Sequence, residues 1–254
     1  MINLSTTTYA HIFDMPPRWG WRLALATLLL AGATRPARAQ QVLVQANVAD
    51  DTIKTVFGAN RRYFGHFYAG YGLVAGPAGR GAALRYGLGS SEGRLGGRLK
   101  FRLSQALAVN LDLGYAYLRY ELAQNAQKTV PNAALHRHEK LGQHQIFSEA
   151  SLRFNAGRRG NSVGRYLDLL AGGGWLAGTN HVTQGEPAPG IGAVETTESG
   201  LPYLRRWTGG VGARLGIDRY ALVGRYRLSS AFGDDYAGWP ELPRWVVGIE
   251  LGLF

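Results

Sequence analysis

Hydrophobic and polar residues alternate strictly along residues 94–103, RLGGRLKFRL. Odd-numbered positions carry Leu, Phe or Gly, and even-numbered positions carry Arg, Lys or Gly. A period of two places these two sets on opposite faces of a β-strand, whereas a helix would spread the cations all round its surface. The segment therefore predicts a strand with one apolar face and one charged face.

The same alternation recurs along the chain and predicts about eight strands of ten or more residues. The first predicted strand is apolar or aromatic on both of its faces. The predicted strands are 62–75, 94–103, 107–118, 143–154, 165–176, 205–217, 219–229 and 244–253. The pattern indicates an all-β fold, and we expect a single eight-stranded antiparallel transmembrane β-barrel.

Short and long connections alternate between these strands, and the long ones are rich in Gly, Pro and polar residues. Outer-membrane barrels have this plan, with short periplasmic turns and long extracellular loops. The short connections lie near 104–106, 155–164 and 218–219, and the long ones near 76–92, 122–142, 179–203 and 230–243.

The register of two hairpins follows from the requirement that paired residues share a face. A three-residue turn at 104–106 keeps the apolar faces of its two strands together and places Arg98 opposite Asp112. By the same argument, the next hairpin has a loop with an even number of residues, and one such register would place Arg153 opposite Asp168. A shift by two residues would change these partners without changing the faces. Two interior acids would thus each face an arginine on the neighbouring strand.

The N-terminus has the three parts of a secretory signal. Arg18 and Arg22 precede an apolar run at 23–33, which is too short to span a bilayer as a helix. A small-x-small cleavage site follows at Ala37 to Ala39. We predict a signal peptide at 1–39, a periplasmic lead-in at 40–61 and an outer-membrane β-barrel domain at 62–254.

The composition limits the classes of function. The 254-residue chain carries 28 Lys and Arg against 17 Asp and Glu, a formal net charge of +11, and contains no Cys. The lack of Cys excludes disulfides and thiolate metal sites. An exported basic chain is expected to meet outer-membrane lipid rather than nucleic acid. We expect no cofactor and no bound metal.

Charged residues on the polar faces would fill the interior of the barrel, and cations outnumber acids among them. An ion-pair network that fills the lumen is one interpretation, and a narrow anion-preferring pore lined by unpaired cations is another. The residues concerned are Arg94, Arg98, Lys100, Arg102, Asp112, Glu149, Arg153, Asp168, Arg206, Arg214, Arg225, Arg227, Arg244 and Glu250.

Alternation alone does not decide which face is outside, because a soluble lipocalin-like barrel also alternates, with its apolar face inward. Aromatic residues at both ends of the apolar face favour a membrane barrel with two girdles. Trp175, Trp207 and Trp245 lie at the long-loop ends of their strands, and Phe101, Phe154 and Tyr220 lie near the short-turn ends.

The last seven residues are GIELGLF. Gly248, Leu251, Leu253 and the terminal Phe254 resemble the C-terminal assembly signal of bacterial outer-membrane barrels, although Val246 replaces the usual polar residue. Together with the strand plan, residues 62–254 resemble the OmpA/OmpX-like eight-stranded barrels, especially the stand-alone barrels of Bacteroidetes-type bacteria. The resemblance implies insertion into the outer membrane by the barrel assembly machinery, but no shared activity.

Three functions stay open: a structural or surface-interaction barrel, a small anion-preferring pore, and a lipid A-modifying enzyme. The lipid A deacylase family uses a His-x-Ser pair on one strand face, and this chain has none. His144 and Ser148 share a face but stand four residues apart, too far for a direct hydrogen bond. We therefore expect a non-enzymatic monomer whose exposed loops carry its interactions.

Deleting Phe254 is expected to impair assembly, because the resemblance assigns this aromatic residue to the assembly signal. The fraction of folded protein in the outer membrane is measured by its heat-modifiable migration on gels. A truncated chain that folds and inserts as well as the full chain would contradict the assignment.

Overall fold

A computed structural model describes residues 55–157, 160–186 and 192–254. The predicted signal peptide at 1–39 and residues 40–54 of the predicted lead-in lie outside the described residues. In the described ranges no helix is both long enough and apolar enough to cross a membrane. Apart from two 3-10 turns, the regular structure in these ranges consists of antiparallel strands.

The described residues form nine strands: β1 (Tyr63–Ala75), β2 (Ser91–Arg102), β3 (Leu107–Glu121), β4 (His138–Ala156), β5 (Arg165–Gln184), β6 (Glu195–Ser199), β7 (Trp207–Ile217), β8 (Tyr220–Arg227) and β9 (Trp245–Leu253). Eight of them close into a ring in the order β1-β2-β3-β4-β5-β7-β8-β9, because β9 also pairs with β1. The prediction of an eight-stranded antiparallel barrel is confirmed.

Both predicted registers are also confirmed. Arg98 lies opposite Asp112 in the β2–β3 hairpin, and Arg153 lies opposite Asp168 in the β4–β5 hairpin. Each pair points into the barrel and is buried. Alternation and loop parity fix which face each side chain occupies, because a one-residue slip would move every side chain to the other face. The structure selects these two pairings from the registers that differ by two residues.

The apolar face of the strands points outward. Leu111 and Leu169 are 48% and 51% exposed, whereas Arg98 and Asp168 on the opposite face are 3% and 0% exposed. A soluble barrel would have the reverse arrangement, since an apolar band of this extent is not stable in water. The exterior is therefore a lipid-facing surface.

The expectation of a loop at 179–203 is wrong. Strand β5 continues to Gln184, and β6 pairs with its outer end. Residues such as Val182, Thr183 and Thr197 are β-branched and favour strands. Polar residues occupy both faces of this segment, so the period-two contrast that reveals the other strands is missing. We call the outer ends of β4 and β5 together with β6 the extension.

The long connections are not simply polar loops. The segments 76–90, 122–137, 200–206 and 228–244 fold over the outer end of the barrel, and we call them the cap. They share a hydrophobic cluster with inward residues of the strand ends. The sequence does not reveal this cluster, because its apolar members in the loops are single and scattered. Its buried members are Val74, Ala82, Leu84, Leu118, Tyr120, Leu122, Val130, Leu141, Leu201, Leu204, Ala231, Phe232 and Leu242.

Replacing Leu169 by Arg is expected to destabilise the barrel by roughly 2–4 kcal/mol, the cost of a cation near the bilayer midplane. Leu111→Arg is expected to behave alike. The free energy of unfolding is measured with urea in lipid vesicles. Leu135→Arg is a matched control, because Leu135 is 58% exposed in the cap and outside the barrel wall. Equal losses in Leu169→Arg and Leu135→Arg would contradict a lipid-facing wall.

Candidate functional site

Charged side chains from seven of the eight ring strands meet in the barrel interior. In the described part of the chain, five carboxylates and five arginines form one connected set of ion pairs, which we call the network. Its members are Glu92, Asp112, Glu149, Asp168, Glu250, Arg94, Arg98, Arg153, Arg214 and Arg225.

Two cross-strand pairs form the inner part of the network. Arg98 donates Nε to Asp112 Oδ1 at 2.9 Å and Nη2 to Oδ2 at 2.8 Å. Arg153 donates Nε to Asp168 Oδ1 at 2.7 Å and Nη2 to Oδ2 at 2.8 Å. Bidentate pairs of this kind are strong because both bonds are charge-assisted and the fork geometry matches.

Arg214 joins these two pairs across the lumen. Its Nη1 lies 2.8 Å from Asp168 Oδ2, its Nη2 lies 3.2 Å from Asp112 Oδ2, and its Nε lies 2.8 Å from Glu250 Oε2. Strands β7 and β3 stand three positions apart around the ring. The Arg214 side chain therefore crosses the interior rather than lining one wall.

The outer part of the network is built in the same way. Arg225 contacts Glu149 at 3.1 Å and Glu250 at 2.5 Å. Arg94 contacts Glu149 at 3.0 Å and Glu92 at 3.2 Å. Each of these carboxylates except Glu92 is shared by two or more arginines, so the ion pairs form one unit.

Inward aromatic rings cover the guanidinium groups. The Arg94 guanidinium carbon lies 3.7 Å from the centre of the Phe147 ring, and that of Arg153 lies 3.6 Å from the centre of Tyr166. Tyr68 lies over a third arginine of the network at 4.4 Å. These cation–π contacts exclude water, which strengthens both them and the ion pairs. The three rings were not among the predicted site residues, although each has the inward parity of its strand.

Acids and arginines balance within the network, so the predicted excess of interior cations lies outside it. Glu92, which precedes the predicted strand, adds a fifth carboxylate. Arg206 is exposed and lies just before β7. Arg227 and Arg244 lie at the outer end, where both contact Glu241 of the cap.

The two remaining predicted cations lie toward the short-turn end of the barrel. Lys100 donates Nζ to the carbonyl oxygen of Ala59, and Arg102 donates to the carbonyl oxygen of Asn60 at 2.6 Å. The described end of the predicted lead-in thus reaches the mouth of the barrel. These cations bind backbone there and do not line an open path.

Glu241 fixes the cap to the outer end of the barrel. Its carboxylate lies 2.9 Å from Arg227 and accepts hydrogen bonds from the Ala231 amide at 3.0 Å and the Ser230 hydroxyl at 2.9 Å. Burial alone would raise the pKa of Glu241, but the Arg227 charge and these hydrogen bonds outweigh it. The pKa of Glu241 therefore lies below its usual value.

A second buried ion cluster joins the cap to the extension. Glu139 lies 2.5 Å from the Lys128 ammonium and 2.8 Å from His181 Nε2, and it accepts a hydrogen bond from Gln124 at 2.9 Å. Glu139 is fully buried. The cluster holds a cap segment against two strands, so the cap is fixed by charge as well as by its hydrophobic cluster.

Side chains occupy the lumen at several levels. Near the short-turn end, Phe64, Val163, Tyr166 and Val223 belong to a buried hydrophobic cluster. The network fills the middle, and the cap covers the outer end. Between the network and the cap lies a cavity of about 90 Å³, which has room for a few water molecules only.

All six predicted girdle residues lie on the exterior. Trp175 and Trp207 are direct cross-strand partners, and Trp245 packs on Tyr226 with ring centres 4.9 Å apart. The other three residues lie on the exterior near the short turns: Phe101, Phe154 and Tyr220.

The four residues of the predicted assembly signal lie along β9 and just beyond it. Leu251 and Leu253 face outward, and the Phe254 ring packs edge-on against Phe64 with centres 5.3 Å apart. A Cβ at Gly248 would lie 2.2 Å from the backbone oxygen of Tyr71 on β1, so only Gly fits this closing strand pair. The geometry gives Gly248 a packing role and leaves its role in assembly a prediction.

An apolar exterior with two aromatic belts around a charged, filled interior defines a transmembrane β-barrel of the bacterial outer-membrane type.

No protein-family model and no curated protein sequence matches the chain. Among solved structures, the chain is similar to Ail, the attachment invasion locus protein of Yersinia pestis, at 10% identity and a TM-score of 0.34. A structure of Ail with the heparin analogue sucrose octasulfate gives 10% identity and a TM-score of 0.32. Each comparison covers 74% of this chain and 97% of Ail.

Replacing Asp168 by Asn is expected to cost about 3–5 kcal/mol, because Arg153 and Arg214 both lose a buried partner. A charge swap between Arg153 and Asp168 would place two arginines together, so neutralising both is the cleaner comparison. The double variant Arg153→Leu/Asp168→Asn is expected to be more stable than Asp168→Asn alone.

Unfolding by urea in lipid vesicles measures both variants, and Arg165→Gln on the exposed rim is the control. A loss in Asp168→Asn no larger than in Arg165→Gln would contradict a buried, connected network. Equal stabilities of the single and the double variant would show that the Arg153 charge is not coupled to Asp168.

Proposed function

We propose that the mature protein is a monomeric outer-membrane barrel that acts through its cell-surface side, as a structural or surface-interaction barrel. The observation that carries this proposal is the cap, which shares a buried hydrophobic cluster with the strand ends and is held at its base by one buried and one half-buried ion cluster. Long loops with a core of this kind present a fixed surface rather than a mobile one. Outer-membrane lipid surrounds the apolar wall, and the barrel assembly machinery inserts it.

The interior argues against the pore. A narrow anion-preferring path needs cations without partners, but five carboxylates neutralise the five arginines of the network in the described barrel. Arg214 and Arg225 reach across the lumen to acids on distant strands. The interior thus resembles a filled core, and its role in this proposal is to hold the wall rigid under the cap.

The histidines argue against an enzyme. His144 lies on the lipid-facing side of β4, where its Nδ1 contacts the Tyr115 hydroxyl at 2.5 Å. His181 is buried against Glu139. Within the described ranges, no serine or threonine hydroxyl is hydrogen-bonded to a histidine, so an activated hydroxyl nucleophile has no candidate there.

Cysteine labelling on intact cells tests the orientation on which the proposal depends, because the native chain has no Cys. Gly238→Cys lies exposed in the cap, and Ser162→Cys lies exposed in a short turn at the other end. A membrane-impermeant maleimide is expected to label position 238 in intact cells and position 162 only after permeabilisation. Labelling of position 162 alone in intact cells would overturn the proposal.

Attachment of producing and non-producing cells to protein-coated and glycan-coated surfaces tests the interaction role. Stronger attachment of producing cells to any one coating supports it. Equal attachment to every coating would reduce the function to that of a structural barrel.

A further inference from the structure

The outer wall contains a pocket where the sheet is interrupted. On one edge of β5, the pairing with β4 passes from Leu176 to Gly178 and leaves Ala177 out as a bulge. On the other edge, Leu176 donates its amide to the Arg206 carbonyl at 2.8 Å. The next backbone bond to β5 on this edge joins Gly200 to Thr179 at 3.0 Å, so residues 201–205 leave the sheet between these two points.

The pocket has a volume of about 470 Å³, within the range of small-molecule sites. Half of its lining residues are polar, and they offer an imidazole, an amide, hydroxyls and one guanidinium group, while the other half are Gly, Ala and Leu. The polar side chains that line it are His144, Thr179, Asn180, Thr197, Ser199 and Arg206.

Arg206 is the charged group of the pocket, and it has no partner in the described protein. Its side chain is exposed and forms no hydrogen bond or ion pair with any described residue. His144 uses Nδ1 for the Tyr115 hydroxyl, which leaves Nε2 without a partner among the described residues. The nearest acid on the same face of β6 is Glu195, four residues from Ser199 and therefore about 13 Å along the strand.

The position of the pocket indicates where its ligand comes from. Directly below it, Trp175 and Trp207 form the cross-strand pair of the outer girdle. Aromatic girdles mark the level of the lipid headgroups, and the wall below this pair is apolar. A ligand with acyl chains could lie along this wall while its headgroup enters the pocket.

We infer that the pocket binds the phosphorylated sugar headgroup of an outer-leaflet glycolipid. Arg206 binds the phosphate, since a guanidinium fork matches phosphate oxygens and is unpaired here. His144, Asn180 and Ser199 supply the donors and acceptors that sugar hydroxyls need. The inference rests on the proposed outer-membrane orientation, which exposes this end of the barrel to that leaflet.

Binding to the full protein in nanodiscs tests the inference, with bisphosphorylated lipid A and its dephosphorylated form as probes. Wild type is expected to prefer the phosphorylated lipid, and Arg206→Gln to bind it about tenfold more weakly. Arg137→Gln is the matched control, because Arg137 is also exposed on this side of the barrel but does not line the pocket. Heat-modifiable migration verifies that each variant is folded.

Equal binding of the two lipids by wild type, or equal affinity of wild type and Arg206→Gln, would overturn the inference. Glucosamine 1-phosphate in solution is the third probe. Binding of this sugar as tight as that of lipid A would assign the pocket to a soluble phosphosugar and overturn the lipid source. If cysteine labelling shows the proposed orientation but the protein binds both lipids equally, only this inference is contradicted. If cysteine labelling shows the opposite orientation, the proposed function is contradicted.

Discussion

The neutral network of five acids and five arginines is the interaction on which the rest of the structure depends. A barrel of eight strands has an interior just wide enough for side chains. A single buried charge in that space would be very costly, but each acid here has an arginine partner within 3.2 Å. The network therefore lets the chain direct its charges inward and leave its apolar residues for the lipid.

The wall is shaped to accommodate this interior. At Gly172, opposite Glu149 on β4, an added Cβ would lie 2.3 Å from a backbone oxygen of β4, so only Gly fits where these two strands approach closely. Phe147 and Tyr166 fill the space between charged groups. Small and aromatic inward residues thus let the charged groups pack closely, and a filled barrel can support the cap.

The strands, their inward charges and two ion pairs could be predicted from the sequence. The pairs are Arg98–Asp112 and Arg153–Asp168. All of these features depend on the face of the strand that a residue occupies, and the faces alternate with a period of two. The prediction placed Arg206 in the lumen because Arg206 and Trp207 alternate as strand residues do. In the structure β7 begins only at Trp207. The fifth acid, Glu92, stands among glycines and serines before the alternation starts. The cap and β6 were missed for a different reason: their contacts join residues far apart in sequence, and local periodicity does not report such contacts.

Conductance of the full protein in planar bilayers is the most direct test of the claim that a neutral network fills the lumen. A filled lumen predicts no steady ion current through the inserted barrel at neutral pH, because arginines paired across the interior leave no continuous path. Stable channel openings with a preference for anions would contradict it, since they would require an open lumen lined by unpaired cations.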